Sequence, residues 1–381
     1  MKRKIRMGMV GGGRDAFIGG VHRMAAALDG EIELVCGAFS STAEKSKASG
    51  EDLMIAPDRC YGSFEEMIEK EKLRADRMDI VSIVTPNHLH FAPAKMALLN
   101  GFHVICDKPV CLTLEEALEL KELVAQTGLT FGLTHNYTGY AMVKHARHLI
   151  KEGLIGKIRK VIVEYPQGWL SFPVERDGSK QAEWRTDPKR SGVAGAVGDL
   201  GTHAENLAEY VTGLQISEVL ADITSYVEGR VLDDDANVLL HFHGGAKGIL
   251  TCSQISNGDL NHLNIRVYGE LGSLRWTQET PQYLVHRSVD GQRIFEPSVG
   301  ELSPVANAAT RLPFGHPEGY LEAFANIYRN FARTVLKQGN GETPSEFDLD
   351  FPTIDDGIRG MKFLEAVIKS GKSNNQWVKI E

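Results

Sequence analysis

The chain is poor in features that would staple, anchor or charge it. Its 381 residues include only five cysteines (Cys36, Cys60, Cys106, Cys111 and Cys252), an odd number with no CxxC spacing. Cys36 and Cys106 lie in apparent buried strands, and reduced thiols in a cytoplasmic protein are expected. No apolar run is long enough to span a bilayer. The basic start Met1-Lys2-Arg3-Lys4 leads into a short apolar run that breaks at Gly11-Gly12-Gly13, so no signal peptide is expected either. Positive charge is in deficit. A formal net charge of −8 argues against a protein that tracks nucleic-acid phosphates and suits one acting on neutral small molecules. Internal repeats and low-complexity tracts are missing.

What remains is an ordinary globular composition, 42% hydrophobic and 24% charged. A chain of 381 residues exceeds what one core usually holds. Two domains are expected, 1–135 and 136–381.

The first reads as strands alternating with helices. A strand over 5–10 is followed by Gly11-Gly12-Gly13-Arg14-Asp15-Ala16-Phe17-Ile18-Gly19-Gly20-Val21-His22 and an alanine-rich helix over 23–28. Strand, glycine turn and helix form the context of a dinucleotide fingerprint, with Gly11 for the tight turn and Gly13 for close approach of a pyrophosphate. The third small residue is Ala16 by simple spacing, or Gly19 after an insertion. A second strand over 32–39 ends on Ser40-Ser41-Thr42, with Lys45 one helical turn on, where NAD-binding chains often place an acid. NAD and NADP both stay open. Further buried strands cover 79–84, ending in Thr85-Pro86-Asn87-His88-Leu89-His90, and 102–106, ending in Asp107-Lys108-Pro109. Helices over 91–99 and 114–126, the latter capped by Thr113, and a strand over 129–134 complete a doubly wound parallel sheet. Ligands bind such sheets at the carboxyl ends of the strands, where Lys108 can hold an alcohol oxygen or steady an alkoxide, or can be a solvated loop lysine.

Beyond residue 140 the pattern changes. A helix over 141–152 and a strand over 158–165 precede a long loop, 166–198, rich in Gly, Pro, Trp and Arg. A helix over 198–211 follows, then alternating segments over 219–227, 237–242, 248–255, 263–268 and 273–277, read as an antiparallel sheet. Helices over 318–336 and 353–369 close an α+β domain. The helix at 198 opens with Gly198-Asp199-Leu200-Gly201-Thr202-His203. Asp199 and His203 share a face there, a carboxylate and an imidazole able to position a hydroxyl and take its proton. Equally, Asp199 can cap the helix and His203 pack in the core. No third ligand accompanies Asp199 with His203, His88-x-His90 or His241-x-His243, so no metal is expected.

The glycine turn, the Thr85–His90 loop, Asp107-Lys108-Pro109 and Asp199-x-x-x-His203 occur in the order seen in the Gfo/Idh/MocA oxidoreductases. Trp184-Arg185 and Tyr268-Gly269-Glu270-x-Gly272-x-Leu274 extend the likeness nearly end to end. The chain therefore resembles that family. The resemblance implies an N-terminal Rossmann domain, a C-terminal α+β domain on a large, mostly antiparallel open sheet, and an NAD or NADP cofactor. It implies hydride transfer to or from a secondary hydroxyl of a sugar, glycoside, anhydrosugar or cyclitol. Lys108, Asp199 and His203 match the catalytic group, either His203 or Lys108 serving as base. Cofactor contacts are expected from Gly11, Gly13, Ala16, Gly19, Ser40, Ser41, Lys45, Thr85, Pro86, Asn87, His90, Asp107 and Asn136. Substrate contacts are expected from Tyr137, Trp169, Arg185 and His316. Lys108 from the first domain and the Asp199–His203 couple from the second are expected to meet across a bound nicotinamide. A homodimer or homotetramer is implied by resemblance. Two other readings share the scaffold: an NAD-dependent glycosidase that oxidises, eliminates and reduces again, and a non-catalytic sugar or cofactor sensor.

Overall fold

The computed structural model describes residues 3–14 and 16–381; Met1 and Lys2 of the basic start and Asp15 of the glycine turn lie outside the described residues. Two compact units are present, the first comprising Met1–Asn136 and Leu321–Ile358, the second Tyr137–Tyr320 and Arg359–Glu381.

In the first unit, apolar runs form five strands: β1 (Ile5–Gly11), β2 (Ile32–Ala38), β3 (Ile80–Val84), β4 (His103–Cys106) and β5 (Phe131–Leu133). They lie in the order β2-β1-β3-β4-β5, all parallel. All five β3 residues, Ile-Val-Ser-Ile-Val, are buried, as a central strand covered on both faces requires. The order turns back between β1 and β3, with Gly11 paired to Val84. At this switch point the glycine turn and the Thr85 loop emerge side by side. The Leu114–Thr127 helix has the expected Thr113 cap, completed into a capping box by Glu116.

The first unit also takes in a segment that a cut at residue 135 assigns elsewhere. In the Tyr320–Gly339 helix, Phe324, Tyr328, Phe331 and Val335 form a buried stripe at helical spacing. A Cβ on Gly132 of β5 would lie 2.8 Å from the Phe331 ring. Beyond the helix, the Leu133 amide donates to Pro352 O at 2.8 Å and Thr353 bridges Gly132, so this returning segment covers the free edge of β5.

Three local differences from the sequence reading have physical causes. The first helix starts at Phe17, not Arg23, because Gly19 must pack tightly on the strand turn and its low helix propensity is tolerated there. The helix Ala43–Asp52 escaped notice because its buried face is Ser46, Ser49 and Gly50, which carry no hydrophobic period. The Phe64–Glu71 helix is short, with Ser63 accepting from the Glu66 amide as its cap.

The second unit is built on nine strands. β6 (Ile158–Pro166), β7 (Ile216–Thr224), β8 (Asp235–Phe242), β9 (Lys247–Ser253), β10 (Asn264–Gly269), β11 (Ser273–Thr277), β12 (Leu284–Ser288), β13 (Gly291–Phe295) and β14 (Val378–Lys379) lie in the order β13-β12-β11-β10-β6-β9-β8-β7-β14. Every pairing is antiparallel except β6 with β9. Alternate burial along β8 (Ala236, Val238, Leu240 and Phe242 inward) shows one face buried and the other open. The 166–198 stretch is not loop throughout. It holds three short helical pieces, Val174–Asp177, Lys180–Arg185 and Pro188–Ser191.

Candidate active site

Four segments of the first unit reach the carboxyl edge of its sheet: the glycine turn, the Thr85 loop, Asp107-Lys108 and Thr134–Asn136. Gly11 and Gly12 both adopt positive φ (+83° and +71°), which a side chain would resist. A Cβ on Gly19 would lie 2.3 Å from the Gly12 Cα, so Gly19 supplies the close strand–helix packing of the fingerprint and Ala16 sits at the helix N-cap instead. Gly13 is small for an inward reason as well, since its Cβ would lie 2.6 Å from Phe39 O and Ser49 Oγ.

Beside the turn lies a cavity of about 460 Å³ lined by Gly13, Arg14, Ala16, Phe17, Arg23 and Ser49. The first turn of the helix behind it carries no acidic residue, and the Arg23 guanidinium donates to Gly12 O at 2.5 Å. Asp52 and Leu53 complete the lining, and Asp52 is paired with the Arg14 guanidinium. A glycine turn, a helix N-terminus and two guanidiniums, one of them offset by that carboxylate, suit a pyrophosphate. At the far end of the edge, Asn136 is buried and its Nδ2 has no hydrogen-bond partner among the described residues, a donor suited to a carboxamide. The residues present thus fit a dinucleotide. Past β2, Ser40 is half-buried, Ser41 and Lys45 are exposed, and Thr42 accepts from the Lys45 amide as the next helix cap.

The Thr85 loop and the lysine loop are braced together. His90 is fully buried, with Nδ1 2.7 Å from Pro109 O and Nε2 2.8 Å from Thr85 O. Asn87 is buried in the single turn between them, and Pro86 is half-buried. Asp107 Oδ1 accepts from the Lys108 amide and from Thr134 Oγ1, each at 2.9 Å, and the Lys108–Pro109 bond is cis. Buried His135 lies close enough to feel both Lys108 and Asp107; burial, with help from Lys108, pushes its pKa down to about 3. It is a neutral imidazole at physiological pH.

In the second unit, Asp199 lies on a π-helical turn, Val197–Gly201, that feeds the helix Thr202–Thr212 carrying His203. Such turns recur at functional sites because they re-aim a side chain without ending the helix. Asp199 is not the cap of this helix. That role falls to Asp233, whose carboxylate accepts from the Gly195 and Val197 amides at 2.7 Å each. Asp199 Oδ2 instead accepts from Arg185 Nε at 3.1 Å and Gln254 Nε2 at 3.0 Å. Arg185 is held in turn by Gln181 (2.7 Å to Oε1) and by the faces of Trp184 and Trp169, 4.2 and 5.8 Å from its guanidinium carbon.

His203 is buried against the Tyr137 ring, their centroids 4.8 Å apart and nearly perpendicular. The Tyr137 hydroxyl belongs to a closed cycle. It donates to Tyr165 OH, which donates to Asn261 Oδ1 at 2.7 Å, and Asn261 Nδ2 donates back to Tyr137 at 3.3 Å. Burial pushes the Tyr137 phenol up to about 12, and the charge of Asp199 adds to the rise. The structure therefore joins Tyr137, Arg185, Trp169, Asp199 and His203 in one polar and aromatic group. It does not bring in His316, which is exposed on a loop with Nδ1 3.2 Å from Phe314 O and no described hydrogen bond or ring contact to that group. Sequence reasoning missed Tyr165, Gln254, Asn261 and Asp233. The first three lie on β6 or just after β9 and before β10, read only as sheet or loop.

Two family models match the chain. The "Oxidoreductase family, NAD-binding Rossmann fold" covers residues 5–135, and the "GFO/IDH/MocA C-terminal domain" covers 143–275. The chain is 34% identical over 386 residues to an uncharacterized oxidoreductase, YfiI, of Bacillus subtilis (strain 168), covering 100% of this chain and 98% of that protein. It superimposes with a TM-score of 0.92, at 34% identity, on an inositol dehydrogenase homolog from Azotobacter vinelandii solved with NADH and myo-inositol, covering 100% and 98% of the two chains. A levoglucosan dehydrogenase of Pseudarthrobacter phenanthrenivorans is 28% identical over 302 residues, 73% of this chain and 74% of that one. Its sheets, its glycine turn and these likenesses make the chain a member of the Gfo/Idh/MocA family, an NAD-binding oxidoreductase.

Proposed function

We propose that the chain catalyses reversible hydride transfer between NAD(P) and a secondary hydroxyl of a sugar, glycoside, anhydrosugar or cyclitol. The carrying observation is the Asp199 group. A carboxylate oriented by Arg185 and Gln254, beside a histidine braced by Tyr137, is set among amides and aromatic faces that suit a neutral polyhydroxylated ring. One similar protein was solved with myo-inositol and another is a levoglucosan dehydrogenase, and both compounds are of that chemistry.

Gly11, Gly13, Ala16 and Gly19 would hold the pyrophosphate, with Thr85, Pro86, Asn87 and Asn136 along the nicotinamide side and Ser40, Ser41 and Lys45 toward the ribose. The cofactor, when bound, supplies the hydride acceptor. His203 takes the hydroxyl proton as the C–H bond gives up its hydride and the carbonyl forms. The Lys108 ammonium steadies the negative charge growing on oxygen, and Asp199 orients the reacting or neighbouring hydroxyl. Arg185 and Trp169, with Tyr137, form the wall against which the ring packs. A cytoplasmic location is consistent with five free, buried cysteines, and no described helix is long and apolar enough to cross a membrane. A homodimer or homotetramer completes the reading.

The test is a panel of inositols, 1,6-anhydrosugars and glucosides with NAD and NADP, followed at 340 nm. Turnover is expected on at least one neutral polyol. Lys108→Ala should lower kcat by two or more orders of magnitude while dinucleotide affinity holds. Silence of the folded protein on every polyol with both cofactors overturns the reading, and near-normal turnover in Lys108→Ala removes the lysine from it.

A further inference from the structure

Resting on the dehydrogenase reading, we propose that His22 is a positioning residue for Lys108, acting through Asp107: its Nε2–H faces the Asp107 carboxylate and keeps in place the group that clamps the lysine backbone. Asp107 Oδ1 is committed to the Lys108 amide and Thr134 Oγ1, and Oδ2 faces His22 Nε2 at 3.9 Å. The His22 side chain is 1% exposed and that of Asp107 16%. No hydrogen-bond partner for His22 Nε2 exists among the described residues, so the carboxylate is what this buried nitrogen has before it. On its other side, Nδ1 lies 2.7 Å from Tyr328 OH, and that hydroxyl lies 2.8 Å from Ser82 Oγ. Phe324 and Tyr328 flank the imidazole edge-on, at 5.0 and 5.8 Å between centroids.

Burial holds the imidazole neutral, its pKa pushed down to about 4; Asp107 opposes that fall, while Arg23 and His90 add to it. A neutral ring carries one N–H. With the proton on Nδ1, a lone pair would point at the carboxylate, and in a low-dielectric interior that repulsion is weakly screened. With the proton on Nε2, the positive edge of the ring faces Oδ2 and Tyr328 becomes the donor to Nδ1. The second arrangement turns the donor edge of the ring toward the carboxylate and leaves Nδ1 a lone pair for Tyr328. The imidazole then attracts Asp107 Oδ2 across 3.9 Å while Thr134 bonds Oδ1, and the Lys108 amide bonds that same Oδ1. Loss of the ring lets the carboxylate swing, and a displacement on the order of 1 Å at a reacting group is enough to slow turnover.

Two measurements decide the matter. Ring 15N NMR of the full-length protein at neutral pH is expected to show His22 as the Nε2–H tautomer; an Nδ1–H tautomer overturns the proposal. In His22→Leu, the Lys108 amide resonance should move and kcat should fall about tenfold, with NAD affinity unchanged within about twofold. His22→Gln, whose amide nitrogen reaches the same place, should recover much of both, a rescue that mere loss of packing would not show. Wild-type kcat together with an unmoved Lys108 amide in His22→Leu overturns the proposal. Should His22→Leu not fold, His22→Gln and the wild-type tautomer still decide it. Wild-type silence on the polyol panel, with a displaced Lys108 amide in His22→Leu, would condemn the dehydrogenase reading and uphold this one.

Discussion

Single residues here do their work through what surrounds them. Burial drives the pKa of His22 and His103 down to about 4 and that of His135 to about 3, so all three fold as neutral bases. Their unfolded value is about 6.5. A folded pKa below the unfolded one means the unfolded chain binds more protons, so this stability is complete above pH 6.5 and drains away as pH falls toward 4 and below. Asp233 and Asp356, pushed up by burial, act in the opposite sense but are fewer and begin near the carboxylate range. Urea midpoints measured from pH 7.5 to pH 4 should therefore drop steadily below pH 6.5. A flat profile over that window would show that the three imidazoles are wetter than their surroundings imply.

Sequence alone identified Lys108, Asp199 and His203 as candidates because their residue types and order are informative. It did not foresee that Arg185 would point at Asp199, nor that Gln254, 55 residues away, would share the same oxygen. Those partners are set by β9 and by the short helix before the π-turn, and neither carries a local signal.

At the scale of elements, the π-turn Val197–Gly201 depends on a residue outside it. Asp233 accepts two backbone N–H groups at the start of the turn and is itself buried. Asp233→Ala removes both bonds and leaves two donors without an acceptor, a loss of about 2–4 kcal/mol. Thermal or chemical denaturation should show that loss, and kcat should fall with it because Asp199 rides on the same turn. A loss below about 0.5 kcal/mol, within the range of an ordinary surface change, would mean the turn holds itself. Elements were legible where their hydrophobic period was: Phe91–Leu99 and Ser273–Thr277 agree with the sequence reading residue for residue. They were illegible where small or polar residues face inward, as in Ala43–Asp52, or where close glycine packing outweighs helix propensity, as at Phe17–Leu28.

At the scale of the molecule, the first unit is not closed by its own N-terminal segment. Tyr328, Phe331 and the 352–353 backbone come from roughly 200 or more residues downstream of β5, and they cover the sheet that carries Asp107 and Lys108. A fragment ending at residue 136 should expose the apolar surface that Phe324, Tyr328 and Phe331 cover. It is expected to lack a cooperative unfolding transition, or to show one far below that of the full chain. Hydrogen exchange should find β5 amides unprotected in the fragment and protected in the full protein. Equal protection would show that the N-terminal sheet stands alone.

Fold class, the alternation of strands with helices, the glycine turn and the residues offered for chemistry are written in local patterns of two to a dozen residues. Hydrophobic period and turn chemistry act over that range, so they can be read directly. The tertiary structure alone decided which glycine packs on the turn, which acid caps the Asp199 helix, and that residues 321–358 return to the first sheet. Each of these depends on contacts between segments far apart in the chain, and contacts of that kind leave no periodic mark on either partner.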